Sequence, residues 1–155
     1  MTAKALNATL MKVASEMLES LAFMFSTPEG TDFDPPDIGE FRILFVEFHG
    51  PFSGKLVLMA AEETLPELTA SMLGVEESEI MSEHMEDALK ETLNVVCGNL
   101  LPRIAGEQAV FNISSPVGMS RIELDALLQV RQPMAKVMLD LDSGSWMFWL
   151  FQSAG

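Results

Sequence analysis

The chain has 155 residues, 48% of them hydrophobic and 21% charged, which suits one globular domain spanning 1–155 and excludes disorder over most of its length. Its formal charge of −14, with no Lys/Arg cluster to offset it locally, argues against nucleic acid and against an anionic membrane as partners. Cys97 is the lone cysteine, so no intramolecular disulfide forms, and no run reaches the roughly 18 apolar residues that a membrane span requires. The N-terminus lacks a long apolar run ahead of a small-residue cleavage site, and the expectation is a cytoplasmic protein.

In chain order, residues 4–25 read as a helix, with Leu6, Leu10, Val13, Met17, Leu21 and Met24 on one face. Residues 26–39 turn polar and carry Pro28, Pro35 and Pro36, which predicts a loop. Phe41–Phe48 and Lys55–Ala60 read as two strands of a hairpin around the turn His49–Gly54. Thr64 and Glu67 are spaced as a capping box with Pro66 in the first turn, and the short helix they start should stop at Gly74. An acidic stretch leads into the longest helical pattern, 79–105, whose apolar stripe is Leu89, Leu93, Val96, Leu100 and Ile104. Three further runs read as strands: Ala109–Ser114, Ala126–Val130 and Ala135–Leu141. A fourth, Trp146–Gln152, follows a turn at 142–145. Strands that run consecutively rather than alternating with helices predict an α+β fold with a mainly antiparallel sheet.

The long helix has a second face. At about 100° per residue, Asp87, Glu91, Asn94 and Gly98 fall together, roughly opposite the apolar stripe. Carboxylates and amides are common on any solvated helix face, so spacing alone leaves a plain surface and a docking surface both open. Gly98 is costly inside a helix, and the gap it leaves lets a partner's backbone approach.

Other chemistry finds little support. His49 lies in a turn and His84 near a helix start, neither with a partner at metal-ligand spacing, so no metal site is expected. Cys97 sits beside the apolar stripe and reads as core. The run Gly50–Lys55 superficially looks like a phosphate loop, but it lacks the following Ser/Thr and joins two strands instead of opening a helix.

The pattern Asp87-x-x-x-Glu91-x-x-Asn94, with Pro116 farther along, is similar to the signature of the CheC/CheX family of chemotaxis phosphatases. Gly98-Asn99, the run Phe111–Pro116, the hairpin Gly50-x-x-x-Gly54-x-Leu56-x-Leu58 and the helix end Met72-Leu73-Gly74 resemble the CheX branch in the same order. The resemblance covers about residues 40–150. It implies a CheC-like two-layer fold, a pseudo-repeat with two long helices packed on the sheet. Ser15-x-x-x-Glu19-x-x-Ala22 in the first helix echoes the signature with alanine in place of the amide.

The resemblance further implies hydrolysis of the aspartyl phosphate on a CheY-like response-regulator receiver domain. Asn94 would orient the attacking water, and Glu91 would bind the receiver's active-site lysine. Asp87 and Gly98 would support docking. It implies no cofactor of the chain's own, since Mg²⁺ is held by the receiver's carboxylates. It also implies a homodimer joined at sheet edges. The alternative is a non-catalytic, flagellar-switch-like module that docks a regulator on the same face.

Overall fold

The structure, a computed structural model, describes residues 1–153. Helix α1 (Ala3–Ala22) starts at Thr2, whose hydroxyl accepts the Ala5 N–H at 3.1 Å. It ends on Phe23, at φ 53° the sole non-glycine residue with positive φ among the described residues. Its buried side is Leu6, Leu10, Val13, Ala14, Leu18 and Ala22. Met17 and Leu21, expected in the stripe, are only half-buried, because the small Ala14 and Ala22 let this helix settle on a neighbouring line of residues. The expected loop 26–39 contains a short strand, β1 (Thr27–Gly30), which the prolines had masked. Pro28 is tolerated there because β1 lies at the sheet edge.

Strands β2 (Phe41–His49) and β3 (Gly54–Ala61) form the predicted hairpin. The two glycines of its turn are sterically required. A Cβ on Gly50 would lie 2.6 Å from the Phe111 ring, and one on Gly54 would collide with the Phe151 carbonyl oxygen. Phe48, Phe52 and Phe111 pack edge to face around this turn, with centroids 5.2–5.9 Å apart. Helix α2 (Leu65–Leu73) follows a 3₁₀ turn over Glu62–Thr64 and stops at Gly74, φ 69°, as expected. The capping box does not form. Thr64 instead turns inward, donating to the Ala61 carbonyl at 2.6 Å and accepting the Trp146 indole N–H at 2.7 Å.

Helix α3 (Ser82–Ala105) is the long helix. His84 serves its start, accepting the Met81 N–H on Nδ1 at 3.1 Å. The expected strand at Ala109–Ser114 shrinks to β4 (Asn112–Ile113), and pairing with β2 resumes at β5 (Val117–Gly118). Between them the Ser114 N–H donates to the Glu47 carbonyl at 2.8 Å, and the Glu47 N–H donates to the Ser114 hydroxyl at 2.9 Å.

The expected strand Ala126–Val130 is the second half of a helix, α4 (Arg121–Val130). Ser120 caps it: its hydroxyl accepts the Glu123 N–H, and the Glu123 carboxylate accepts the Ser120 N–H. Leu124, Leu127 and Leu128 then fall on one helical face and cover the sheet. Strands β6 (Ala135–Leu141) and β7 (Gly144–Gln152) close the chain as a hairpin.

Every strand pair is antiparallel, in the order β1-β6-β7-β3-β2-β4, with β5 also on β2. Alternation of side chains splits the core. Leu44, Val46 and Phe48, with Trp146, Phe148 and Leu150, face α1, α2 and α3. Ile43, Val57, Met59, Met147 and Trp149 face α4 and Phe33. The α+β layering is the one expected, with α4 as an addition on the second sheet face.

Candidate functional site on helix α3

The buried side of α3 is Ala88, Leu89, Thr92, Leu93, Val96, Cys97, Leu100 and Leu101. These residues pack against the sheet and against α1 and α2. Thr92 is wholly buried without cost, because its hydroxyl donates to the Ala88 carbonyl at 2.8 Å. Cys97 is a core residue, and burial pushes its thiol up to about 12. Such a thiol is no nucleophile at neutral pH.

Polar contacts tie the helix down near both ends. Near the start, the Arg42 guanidinium donates to Glu62 at 2.9 Å and to the Ser82 hydroxyl at 3.3 Å. Near the end, Arg103 donates to Glu16 of α1 at 3.0 Å. Both partners of that second pair are partly exposed, so it orients more than it stabilises.

Asp87, Glu91, Asn94 and Gly98 are all exposed, on the side that the core leaves free. None of the three side chains makes a hydrogen bond or ion pair within the chain among the described residues. Asn99 behaves differently, donating its amide back to the Val95 carbonyl at 2.7 Å. Asn94 therefore keeps both its donors and its acceptor available, and Glu91 keeps a whole carboxylate. A Cβ at Gly98 would meet nothing within 4 Å.

Glu91 and Asn94 are presented on an open helix surface. A groove of about 500 Å³ opens just beyond them, lined by Gly98, Asn99, Pro102, Arg103, Gly106 and Glu107. Pro102 and Arg103 were not singled out from sequence. A proline inside a helical pattern was the available signal for the first. Among the described residues, no group of three His, Cys, Asp or Glu is placed to hold a metal ion. An exposed helix face with free polar groups does not by itself enclose a small substrate. It can complete a site that a second macromolecule brings.

The echo on α1 has no such face. Ala22 is 1% exposed, and the Ser15 hydroxyl donates to the Met11 carbonyl while accepting from Ser26. Pro116 is buried between β4 and β5, away from solvent.

Residues 42–137, more than half of the chain and the whole of α3, match the family model described as chemotaxis phosphatase CheX. The chain belongs to the CheX family. No curated protein matches the sequence. Several solved structures share the fold. A chemotaxis protein CheX from Desulfovibrio desulfuricans is 11% identical with a TM-score of 0.73, over 96% of this chain and 99% of that one. The CheX in a CheX–CheY–BeF3–Mg²⁺ complex from Borrelia burgdorferi is 13% identical with a TM-score of 0.63, over 95% and 97%. Thermotoga maritima FliY is 14% identical with a TM-score of 0.63, over 97% and 89%. At these identities the likeness is one of fold. Among the described residues of this CheX family member, no helix is long and apolar enough to cross a membrane.

Proposed function

We propose that this chain hydrolyses the aspartyl phosphate of a CheY-like response-regulator receiver domain, using Asn94 and Glu91. The carrying observation is that these two side chains stand free on an exposed helix face within the matched family region. The fold neighbour from Borrelia burgdorferi was solved with CheY carrying beryllofluoride and Mg²⁺, which supports a receiver as partner.

The proposed division of labour follows from the chemistry of the groups. Asn94 enters the receiver's phosphorylation site and holds a water in line with the phosphorus. An amide does this without a charge that phosphate would repel. The water oxygen bonds to phosphorus, the bond from phosphorus to the aspartyl oxygen breaks, and the carboxylate leaves; both of the water's protons depart with inorganic phosphate. Glu91 accepts from the receiver's active-site lysine and sets the register. Mg²⁺ sits on the receiver's own carboxylates, and this chain supplies position, the main requirement of phosphoryl transfer. Asp87 and Gly98 complete the contact. The reaction takes place in the cytoplasm, and the chain works as a homodimer joined through a sheet edge. Segment 112–119, along β2, offers one such edge.

The test is phosphate release from a phosphorylated receiver, with Asn94→Ala alongside. Equal rates for the two proteins sink the proposal. A second reading is regulator binding without hydrolysis, for which the same free, exposed side chains would serve as a docking surface. It predicts binding of the loaded receiver with no acceleration of phosphate release.

A further inference from the structure

Pro102 lies inside α3, four residues after Gly98. A carbonyl in a helix interior receives the N–H of the residue four positions on, and proline has none. The Gly98 carbonyl therefore lacks its regular helical donor. The pyrrolidine ring also crowds that carbonyl and tilts it outward. About one turn earlier, the Val95 carbonyl takes the Asn99 side-chain amide at 2.7 Å, so a carbonyl on this side of α3 is open to a donor from outside the backbone ladder. Gly98 itself is exposed and contributes no side chain to cover the oxygen, and beyond the helix's own backbone nothing among the described residues lies within 4 Å of where its Cβ would be. Both residues line the open groove beyond Asn94.

The position matters as much as the freed acceptor. By helical pitch, Gly98 is about 6 Å along the axis from Asn94 and about 40° around it, on the arc of Asp87 and Glu91. A partner footprint of ordinary size, roughly 800 Å² on each side, cannot cover Asn94 without covering Gly98. Any N–H that the partner brings there finds an acceptor whose i+4 helical donor is missing. An acceptor left dry and unpaired would penalise the complex.

We infer that the Gly98 carbonyl, freed by Pro102, accepts a hydrogen bond from an N–H of the docked receiver and fixes its register one turn beyond Asn94. This rests on the receiver reading above and adds a positioning contact to it. Gly98 and Pro102 then act in binding, and the hydrolytic step stays with Asn94.

The experiment compares wild type, Pro102→Ala, Gly98→Ala and Asn94→Ala against the source cell's own receiver domains. Each receiver is purified singly and used in two forms, phosphorylated and loaded with beryllofluoride and Mg²⁺. Pro102→Ala returns an N–H to the helix and so withdraws the acceptor. Both Pro102→Ala and Gly98→Ala favour the helix, so a higher thermal midpoint is expected from each. The expected result is a dissociation constant and KM raised roughly fivefold by Pro102→Ala, the worth of one hydrogen bond, with kcat within about twofold. Gly98→Ala should weaken binding as well. If wild type hydrolyses and Asn94→Ala does not, yet Pro102→Ala binds like wild type, the carbonyl contact is overturned and the receiver reading stands. If wild type binds no loaded receiver, both are overturned.

Discussion

Glu91 and Asn94 share one exposed face of α3 within a single turn, while Thr92 and Leu93 between them are both 0% exposed. The same turn therefore anchors the helix and presents the candidate chemistry. Neither exposed side chain supports the fold, so the two roles should separate on mutation. Asn94→Ala is expected to cut phosphate release roughly a hundredfold, as loss of a positioning group does. Its unfolding free energy should stay within about 0.5 kcal/mol of wild type. Glu91→Ala should raise KM more than it lowers kcat. Steady-state phosphate release and urea unfolding read both effects.

Gly98→Ala offers the opposite trade. The position is helical, exposed and unobstructed. Alanine there should stabilise the protein by about 0.5–1 kcal/mol. A drop in stability measured by denaturant titration would show that the backbone at Gly98 is not free.

Thr64→Val tests the buried link between the sheet and α2. Trp146 is wholly buried, and its indole N–H has Thr64 as partner. Valine keeps the shape and removes the acceptor. The expected cost is about 1–3 kcal/mol, that of a buried donor left unsatisfied. Chemical denaturation would detect it, and phosphatase activity at low temperature should be unchanged.

Cys97 gives a pH prediction. Its folded-state pKa of about 12 lies above the ordinary 9.0, so the folded protein holds the proton longer than the unfolded chain does. The thiol's contribution is thus complete below pH 9 and is lost as pH rises from 9 toward 12. Stability should fall across that window more steeply in wild type than in Cys97→Ala. The native thiol should also resist alkylation at pH 8 until denaturant is added.

The candidate face was legible because it is a local property. Asp87, Glu91, Asn94 and Gly98 share a side of α3 through helical pitch alone, and the chemistry assigned to them came from resemblance to a family. Helix α4 was misread because Ala126–Val130 is a short apolar run that suits either a strand or a helix. Ser120 and Glu123, spaced as a capping box just ahead of it, were the signal that decides. β1 was hidden for a different reason. Thr27–Gly30 has no strand-like composition and is extended only because β6 offers it an edge.

The amino-acid sequence by itself determined which side chains travel together: the polar arc of α3 and the alternating faces of β2, β3 and β7. Those relations follow from backbone periodicity and short-range sterics. Only the tertiary structure decided which arcs meet solvent. The signature-like residues of α1 lost that choice, since Ala22 is packed into the core, whereas the arc of α3 kept it because the sheet, α1 and α2 cover the opposite side. Burial depends on what packs against a residue from far along the chain, and helical pitch carries no record of it.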